Sequence, residues 1–139
     1  MTAFDSDVFT LITQGHEPYR VRLSQIAVGE QAIPLVVLEE SIRGRLNSIR
    51  KAETAKQQQK IVSAYDRFFE VIADSHRYRV LPYTIAAHAL FTAWRTAKIR
   101  IGTQDLRIAA ICVVHGAKLI TRNRRDYELV PGLPLEIWT

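Results

Sequence analysis

Asp105-Leu-Arg-Ile-Ala-Ala-Ile-Cys-Val-Val-His115-Gly116-Ala-Lys-Leu-Ile-Thr121-Arg-Asn-Arg-Arg-Asp126 is the stretch whose reading decides the fold. It reads as an apolar helix opened by an acid and closed by a glycine, then a short strand, Lys118 to Thr121, running into an arginine-rich loop. Between Asp105 and Gly116 only Arg107 and His115 can carry charge. A helix apolar nearly all round is a buried one. A carboxylate at the head of such a helix must find water, a cation or backbone N–H groups, because an unpaired buried charge is too costly. Asp105 is therefore expected to belong to a cluster of acids gathered around a metal ion.

Upstream, Thr2-Ala-Phe4 reads as a short strand that runs into Asp5-Ser6-Asp7, with Ser6 as the expected N-cap of a helix carrying Val8, Phe9, Leu11 and Ile12. Tyr19 to Ala27 reads as a second helix. Ala32-Ile-Pro-Leu-Val-Val-Leu38 is an apolar run suited to a buried strand. Because proline is unwelcome within a strand, the strand is expected over Leu35 to Leu38, delivering Glu39 and Glu40 at its end. Two long helices are expected from Ser41 to His76, bent or linked across Glu53 to Lys60. Ile61, Val62, Tyr65, Phe68, Phe69 and Ile72 form a helical stripe expected to pack in the core. Tyr78 to Leu81 is a short strand, and Pro82 is expected to start a helix with Ala86, Ala89, Leu90, Ala93, Trp94 and Ala97 on one face. Arg122 to Tyr127 is a loop with a helical turn, and Leu135 to Trp138 a last edge strand. Strands alternating with helices predict an α/β fold with a largely parallel sheet.

The chain has 139 residues, 47% of them hydrophobic and 24% charged, which is enough for one domain with a real core. No apolar run approaches the roughly 18 residues that read as a membrane helix, and no export signal opens the sequence. A soluble, cytoplasmic protein is the expectation. The single cysteine, Cys112, excludes an internal disulfide and a cysteine-based zinc site. A net charge of +5, with a pI near 9.7, suits a polyanionic partner.

On this reading three strand ends carry acids: Asp5 and Asp7, Glu39 and Glu40, and the Asn123–Asp126 loop. In a parallel sheet such ends share one rim. Carboxylates collected there repel one another unless a cation intervenes, and oxygen ligands of this kind choose Mg²⁺ or Mn²⁺. Such an ion activates water and stabilises charge on a phosphoryl oxygen, the chemistry of phosphodiester hydrolysis without a serine, cysteine or histidine nucleophile. Singly, Asp5 or Asp105 is read more readily as a helix cap; the conjunction points to a site. His16, His76, His88 and His115 share no ligand spacing, and there is no glycine-rich phosphate loop.

With these residues in place, the chain resembles the PIN-domain ribonucleases, in particular the VapC toxins of VapBC toxin–antitoxin systems. Phe4-Asp5-Ser6-Asp7 is similar to the opening motif of that family, with serine for the usual threonine. Val37-Leu-Glu-Glu40-Ser-Ile-Arg-Gly44 is similar to the second, whose glutamate stands four residues before a glycine and so selects Glu40 over Glu39. Asp105-Leu-Arg-Ile-Ala-Ala matches the third. Leu119-Ile-Thr-Arg-Asn-Arg-Arg-Asp-Tyr127, followed by Val130-Pro-Gly-Leu and Trp138, matches the closing segment of one toxin branch. Where many relatives carry an aspartate, two residues after Thr121, this chain has Asn123, so either Asn123 or Asp126 completes the set.

The resemblance implies a single PIN domain over residues 1–139, a three-layer α/β/α sandwich around a mostly parallel sheet of four to five strands. It implies a Mg²⁺- or Mn²⁺-dependent endoribonuclease, the toxin of a type II pair, with Asp5, Glu40, Asp105 and Asp126 as catalytic acids. The expected metal ligands are Asp5, Glu40, Asp105 and one of Asn123 or Asp126. Transfer or ribosomal RNA loops are the implied substrates, with Arg122, Arg124, Arg125, Arg43 and Arg45 on the phosphates. A VapB-type antitoxin is the implied partner, and a homodimer through the helix faces around Phe68, Phe69 and Trp94 is expected. The other reading is a PIN-like module that docks RNA or protein with weak or no catalysis.

Overall fold

Five short strands form one sheet in the order β3-β2-β1-β4-β5, every neighbouring pair parallel. They are β1 (Thr2–Phe4), β2 (Gln31–Pro34), β3 (Arg79–Leu81), β4 (Lys118–Thr121) and β5 (Leu135–Ile137) in a computed structural model that describes residues 1–139. Connecting them are α1 (Ser6–Thr13), α2 (Glu17–Ser24), α3 (Leu35–Ala55), α4 (Gln58–Ser75), α5 (Ile85–Thr96), α6 (Thr103–His115) and the single turn α7 (Arg124–Tyr127). With right-handed crossovers, this order puts α1 to α4 on one face and α5 and α6 on the other, the three-layer arrangement. The sheet has five strands and is wholly parallel, at the upper end of the expected count.

The core is built where the sheet meets its helices. Phe4, Val8, Phe9, Ile33, Val37, Leu119 and Ile120 are buried together with the α6 residues Leu106, Ile108 and Ile111. Helix α6 packs against β2, β3 and β4 and buries Leu106 and the run from Ile108 to Cys112, while both its ends are more open than an all-apolar helix predicts and Val114 is exposed. Gly116 ends it in the left-handed conformation at φ 66°, with Ala117 N–H donating to the Cys112 carbonyl across 2.8 Å. A side chain at that φ would be strained, so glycine is the natural stop. A second, smaller cluster of Ile49, Ala52 and Ala64, with Ile61 and Phe68 against it, holds the α3–α4 hairpin together outside the main core.

Several local expectations are corrected. The buried strand is Gln31–Pro34, not Leu35–Leu38, and Leu35 already begins α3. Proline sits at the strand's last position, where the missing N–H costs no central ladder bond, and its extended ψ of 141° leads directly into the helix. Glu39 and Glu40 therefore stand in the second turn of α3 rather than at a strand end. Asp5, not Ser6, caps α1, its carboxylate accepting from Val8 N–H at 2.9 Å. Helix α2 occupies Glu17–Ser24 rather than Tyr19 to Ala27. Pro82 precedes α5 without starting it; Thr84 is the cap, accepting from Ala87 N–H at 3.1 Å. The inward face of α5 carries Ala87 and Trp94, with Leu90 and Phe91 packed beside them, while Ala86, Ala89, Ala93 and Ala97 face solvent. Trp94 is buried and forms no part of an outer surface. The α4 stripe is largely uncovered, with Phe69 73% and Val62 60% exposed, because α4 packs on α3 through Ala64, Phe68 and Val71 instead.

Candidate metal centre at the sheet switch point

In a doubly wound parallel sheet the chain leaves neighbouring strands in opposite directions at one place, and the crevice outside those strand ends is the binding site. Here that place lies between β1 and β4. Asp5 follows β1, and its N–H donates to the Ile120 carbonyl at 3.1 Å, which ties it to the neighbouring strand. The Thr121 hydroxyl, on the last residue of β4, donates to Asp5 Oδ2, while Oδ1 is held by Val8 N–H. Asp5 is buried, at 5% exposure, and both its oxygens are fixed by neutral donors.

The remaining acids approach from three helices. Glu40, half-buried on α3, accepts from the Ser6 hydroxyl at 2.7 Å. Asp105, in the first turn of α6, accepts from the Tyr127 hydroxyl at 3.2 Å. Asp126, on α7, accepts from Asn123 Nδ2 at 2.9 Å, and the Asn123 side-chain oxygen in turn accepts from Asp126 N–H at 3.3 Å. Asn123 thus caps α7 and orients Asp126; its oxygen is occupied by that cap. Asp7, exposed on α1, adds a further carboxylate beside these.

No cation compensates this group. Salt bridges in the protein involve Glu30, Glu39, Asp74, Glu128 and Glu136, and none involves Asp5, Asp7, Glu40, Asp105 or Asp126. The electrostatic consequence is uniform. Burial pushes Asp5 up to about 6, against the bonds from Thr121 and Val8, and the charges of Asp7 and Asp105 add to the rise. Glu40 is raised by burial and then by Asp105, Glu39 and Asp7, with the Ser6 bond opposing. Asp105 is likewise raised by burial, then by Asp126 and Asp7, with the Tyr127 bond opposing. A site that strains its own carboxylates in this way is one that a cation would relieve.

The donors suit a hard divalent ion in one specific sense. No three of the acids, histidines or the cysteine come close enough together to hold an ion directly. Mg²⁺, however, commonly keeps several waters and takes only one or two carboxylates. An all-oxygen set with surplus negative charge and neutral orienting donors fits that mode.

Of the sequence-predicted acids, Asp5, Glu40 and Asp126 are each coupled by charge to Asp105, so the fold brings all four into one electrostatic neighbourhood. The arginines divide. Arg43 is paired with Glu39 at 2.7 Å and Arg124 with Glu128 at 3.1 Å, while Arg122 and Arg125 are exposed in the α7 loop. Arg45 lines a cleft of about 290 Å³ beside Glu40 and Ser6. Sequence reasoning placed Asp7 beside Asp5 on the acid rim without giving it a ligand role, and it did not single out Thr121 or Tyr127. Asp7 stands in the same motif as Asp5, but the two hydroxyls gave no signal before the strands and α7 were placed.

This geometry defines a PIN-like α/β fold, and comparison with solved structures bears it out over the whole chain. No family model matches the sequence, and no curated protein matches it. A chain of the DNA-bound VapBC from Salmonella typhimurium is 21% identical, with a TM-score of 0.81 and full coverage of both chains. One from Rickettsia felis VapBC2, bound to a DNA fragment from its promoter, is 21% identical with a TM-score of 0.78, covering 99% of this chain and 98% of that one. VapBC-1 from nontypeable Haemophilus influenzae gives 19% identity, a TM-score of 0.73, and coverage of 99% and 97%. At these identities the likeness is one of fold.

Proposed function

We propose that this chain is the toxin of a type II toxin–antitoxin pair and acts as a Mg²⁺- or Mn²⁺-dependent endoribonuclease. The observation that carries the reading is the set of acids without a compensating cation at the β1/β4 switch point, each oriented by a neutral donor. Asp5, Glu40, Asp105 and Asp126 would hold the ion, directly or through water, with Asn123 acting on Asp126 rather than as a ligand. When bound, the ion supplies positive charge to a phosphoryl oxygen and makes a nearby water acidic enough to attack. The chain's own part is positional: Thr121, Ser6, Tyr127 and Asn123 hold the four acids in place. Arg45 in the adjoining cleft is placed for a phosphate, which favours RNA with an accessible backbone, such as a transfer or ribosomal RNA loop.

A partner fits the same reading. The solved neighbours are VapBC structures, and the exposed α4 residues Val62, Tyr65, Phe69 and Ile72 repeat at alternating spacings of three and four. Such a seam accepts an amphipathic helix, as a VapB-type antitoxin or a second copy would present. The second reading, a binding module without catalysis, is favoured by the absence of any three-ligand cluster.

Digestion of total RNA separates the two. Purified protein with Mn²⁺ or Mg²⁺ is expected to cut RNA, with loss of cleavage in chelator and in Asp5→Asn and Asp105→Asn. RNA binding without any cleavage, unaffected by these substitutions, would favour the module.

A further inference from the structure

Beyond the acids, the α3–α4 hairpin carries a polar groove with a consistent sign of charge. Helices α3 and α4 pack along one seam, and two clefts follow one face of α3: the first lies mainly between α3 and α1, the second in the α3–α4 seam itself. The first, about 290 Å³, is walled on one side by Ser6, Phe9, Thr10 and Thr13 of α1 and on the other by Glu40 and Arg45 of α3, and Val71 is the one α4 residue that reaches it. The second, about 450 Å³, lies further along and is lined by Ser48 and Lys51 from α3 and Lys60, Ser63 and Arg67 from α4, with small alanines between them. Positions 41, 44, 48, 51 and 55 of α3 recur at helical spacing on one face, and they all line these clefts. At about 1.5 Å per residue, Lys51 lies about 16 Å along the helix from Glu40.

Apart from Glu40 at its mouth, no acid lines this track. Arg45, Lys51, Lys60 and Arg67 take part in none of the salt bridges, whereas Arg43, two residues before Arg45 on α3, is paired with Glu39. Unpaired cations spaced along a groove match the repeating charge of a phosphodiester backbone, and Ser63 adds a hydroxyl donor, the Ser48 hydroxyl being held by the Gly44 carbonyl at 3.0 Å. The apolar residues of the α4 stripe point elsewhere, since Val62, Tyr65 and Phe69 line no part of either cleft. An acidic protein segment would have no apolar anchor here, which leaves nucleic acid as the better fit.

We propose that the α3–α4 seam is a backbone-binding track that leads one arm of the RNA substrate away from the acid site. The inference rests on the ribonuclease reading for the identity of that RNA. Lys51, Lys60 and Arg67 are the residues that hold it, and Arg45 joins the track to the site.

The test is binding of labelled bulk transfer RNA in chelator, where cleavage is silent, over a series of salt concentrations. Three proteins are compared: wild type, the triple variant K51A/K60A/R67A, and a control triple R20A/R77A/R100A that removes the same charge from other exposed positions. Each phosphate that is no longer neutralised flattens the slope of log affinity against log salt by about 0.7. The seam variant is therefore expected to lose about 2 from that slope and at least tenfold in affinity at moderate salt, while the control keeps the wild-type slope. The charge-retaining K51R/K60R/R67K is expected to bind as wild type, which separates charge from folding. Equal losses in the two alanine triples, or an unchanged seam variant, would overturn the track. A failure of the ribonuclease reading looks different: wild type would cut no RNA with metal present, while the seam variant still loses binding.

Discussion

The Tyr127 hydroxyl donates to Oδ1 of Asp105 across 3.2 Å, joining α7 to the first turn of α6 through a ring that is only 1% exposed. The residue before it, Asp126, bears on Asp105 through its charge. A single helical turn thus supplies both an acid and the clamp on a neighbouring one. Tyr127→Phe keeps the ring and removes the clamp. Loss of such an outer partner commonly costs about 10–100-fold in metal affinity. That loss is expected in a Mn²⁺ titration of Tyr127→Phe. Tyr19→Phe, which deletes another buried hydroxyl, bonded to the Trp138 carbonyl at 3.1 Å, is expected to bind Mn²⁺ as wild type.

Asp5 sets the pH behaviour of the metal-free protein. Its folded carboxyl is pushed up to about 6, while in the unfolded chain it titrates near the ordinary 3.8. Between those values the folded state binds more protons, so stability falls as pH rises and is lowest above 6. The loss from this group is about 2–3 kcal/mol, and Glu40 and Asp105, also raised, act in the same direction. Thermal unfolding in chelator should show a melting temperature that drops from pH 4 toward pH 7. Asp5→Asn, which can still cap α1 and still meet the Thr121 hydroxyl, is expected to remove most of that drop and to melt higher than wild type at pH 7. Added Mn²⁺ should raise the wild type and leave the variant unmoved.

Asn123 is expected to behave as a cap and an orienting group. Asn123→Ala removes the oxygen that accepts from Asp126 N–H and the Nδ2 donor to Asp126, at about 1 kcal/mol of stability. Asn123→Asp keeps the cap oxygen but sets a charge against Asp126. Cleavage assays beside melting curves check this: Asn123→Asp should lose activity while retaining more stability than Asn123→Ala.

Much of the site could be read from sequence because its parts obey local rules. The apolar α6 with its acid and its glycine stop, the strand of Lys118 to Thr121 and the acid after β1 each follow from patterning and turn chemistry alone. Pro34 misled because a proline within an apolar run argues against a strand, whereas a strand can end on one when the helix begins at the next residue. The α4 stripe misled for a different reason. Helical periodicity reports that a face is apolar, not that something within the same chain covers it, and Phe69 and Val62 remain open. Thr121 and Tyr127 were invisible because their roles depend on which strands and turns become neighbours, a long-range property absent from any short window. Asn123 looked like a weakened ligand, and only its hydrogen bonds show it occupied as the α7 cap.

Calorimetric titration of Mn²⁺ into the purified protein at pH 7, for wild type and for Asp105→Asn, tests most directly whether the acids at the β1/β4 switch point form a cation site. A saturable site in wild type that Asp105→Asn abolishes, with the variant still folded, is the expected result. No saturable binding by the folded wild type, or equal binding by the two proteins, would contradict it.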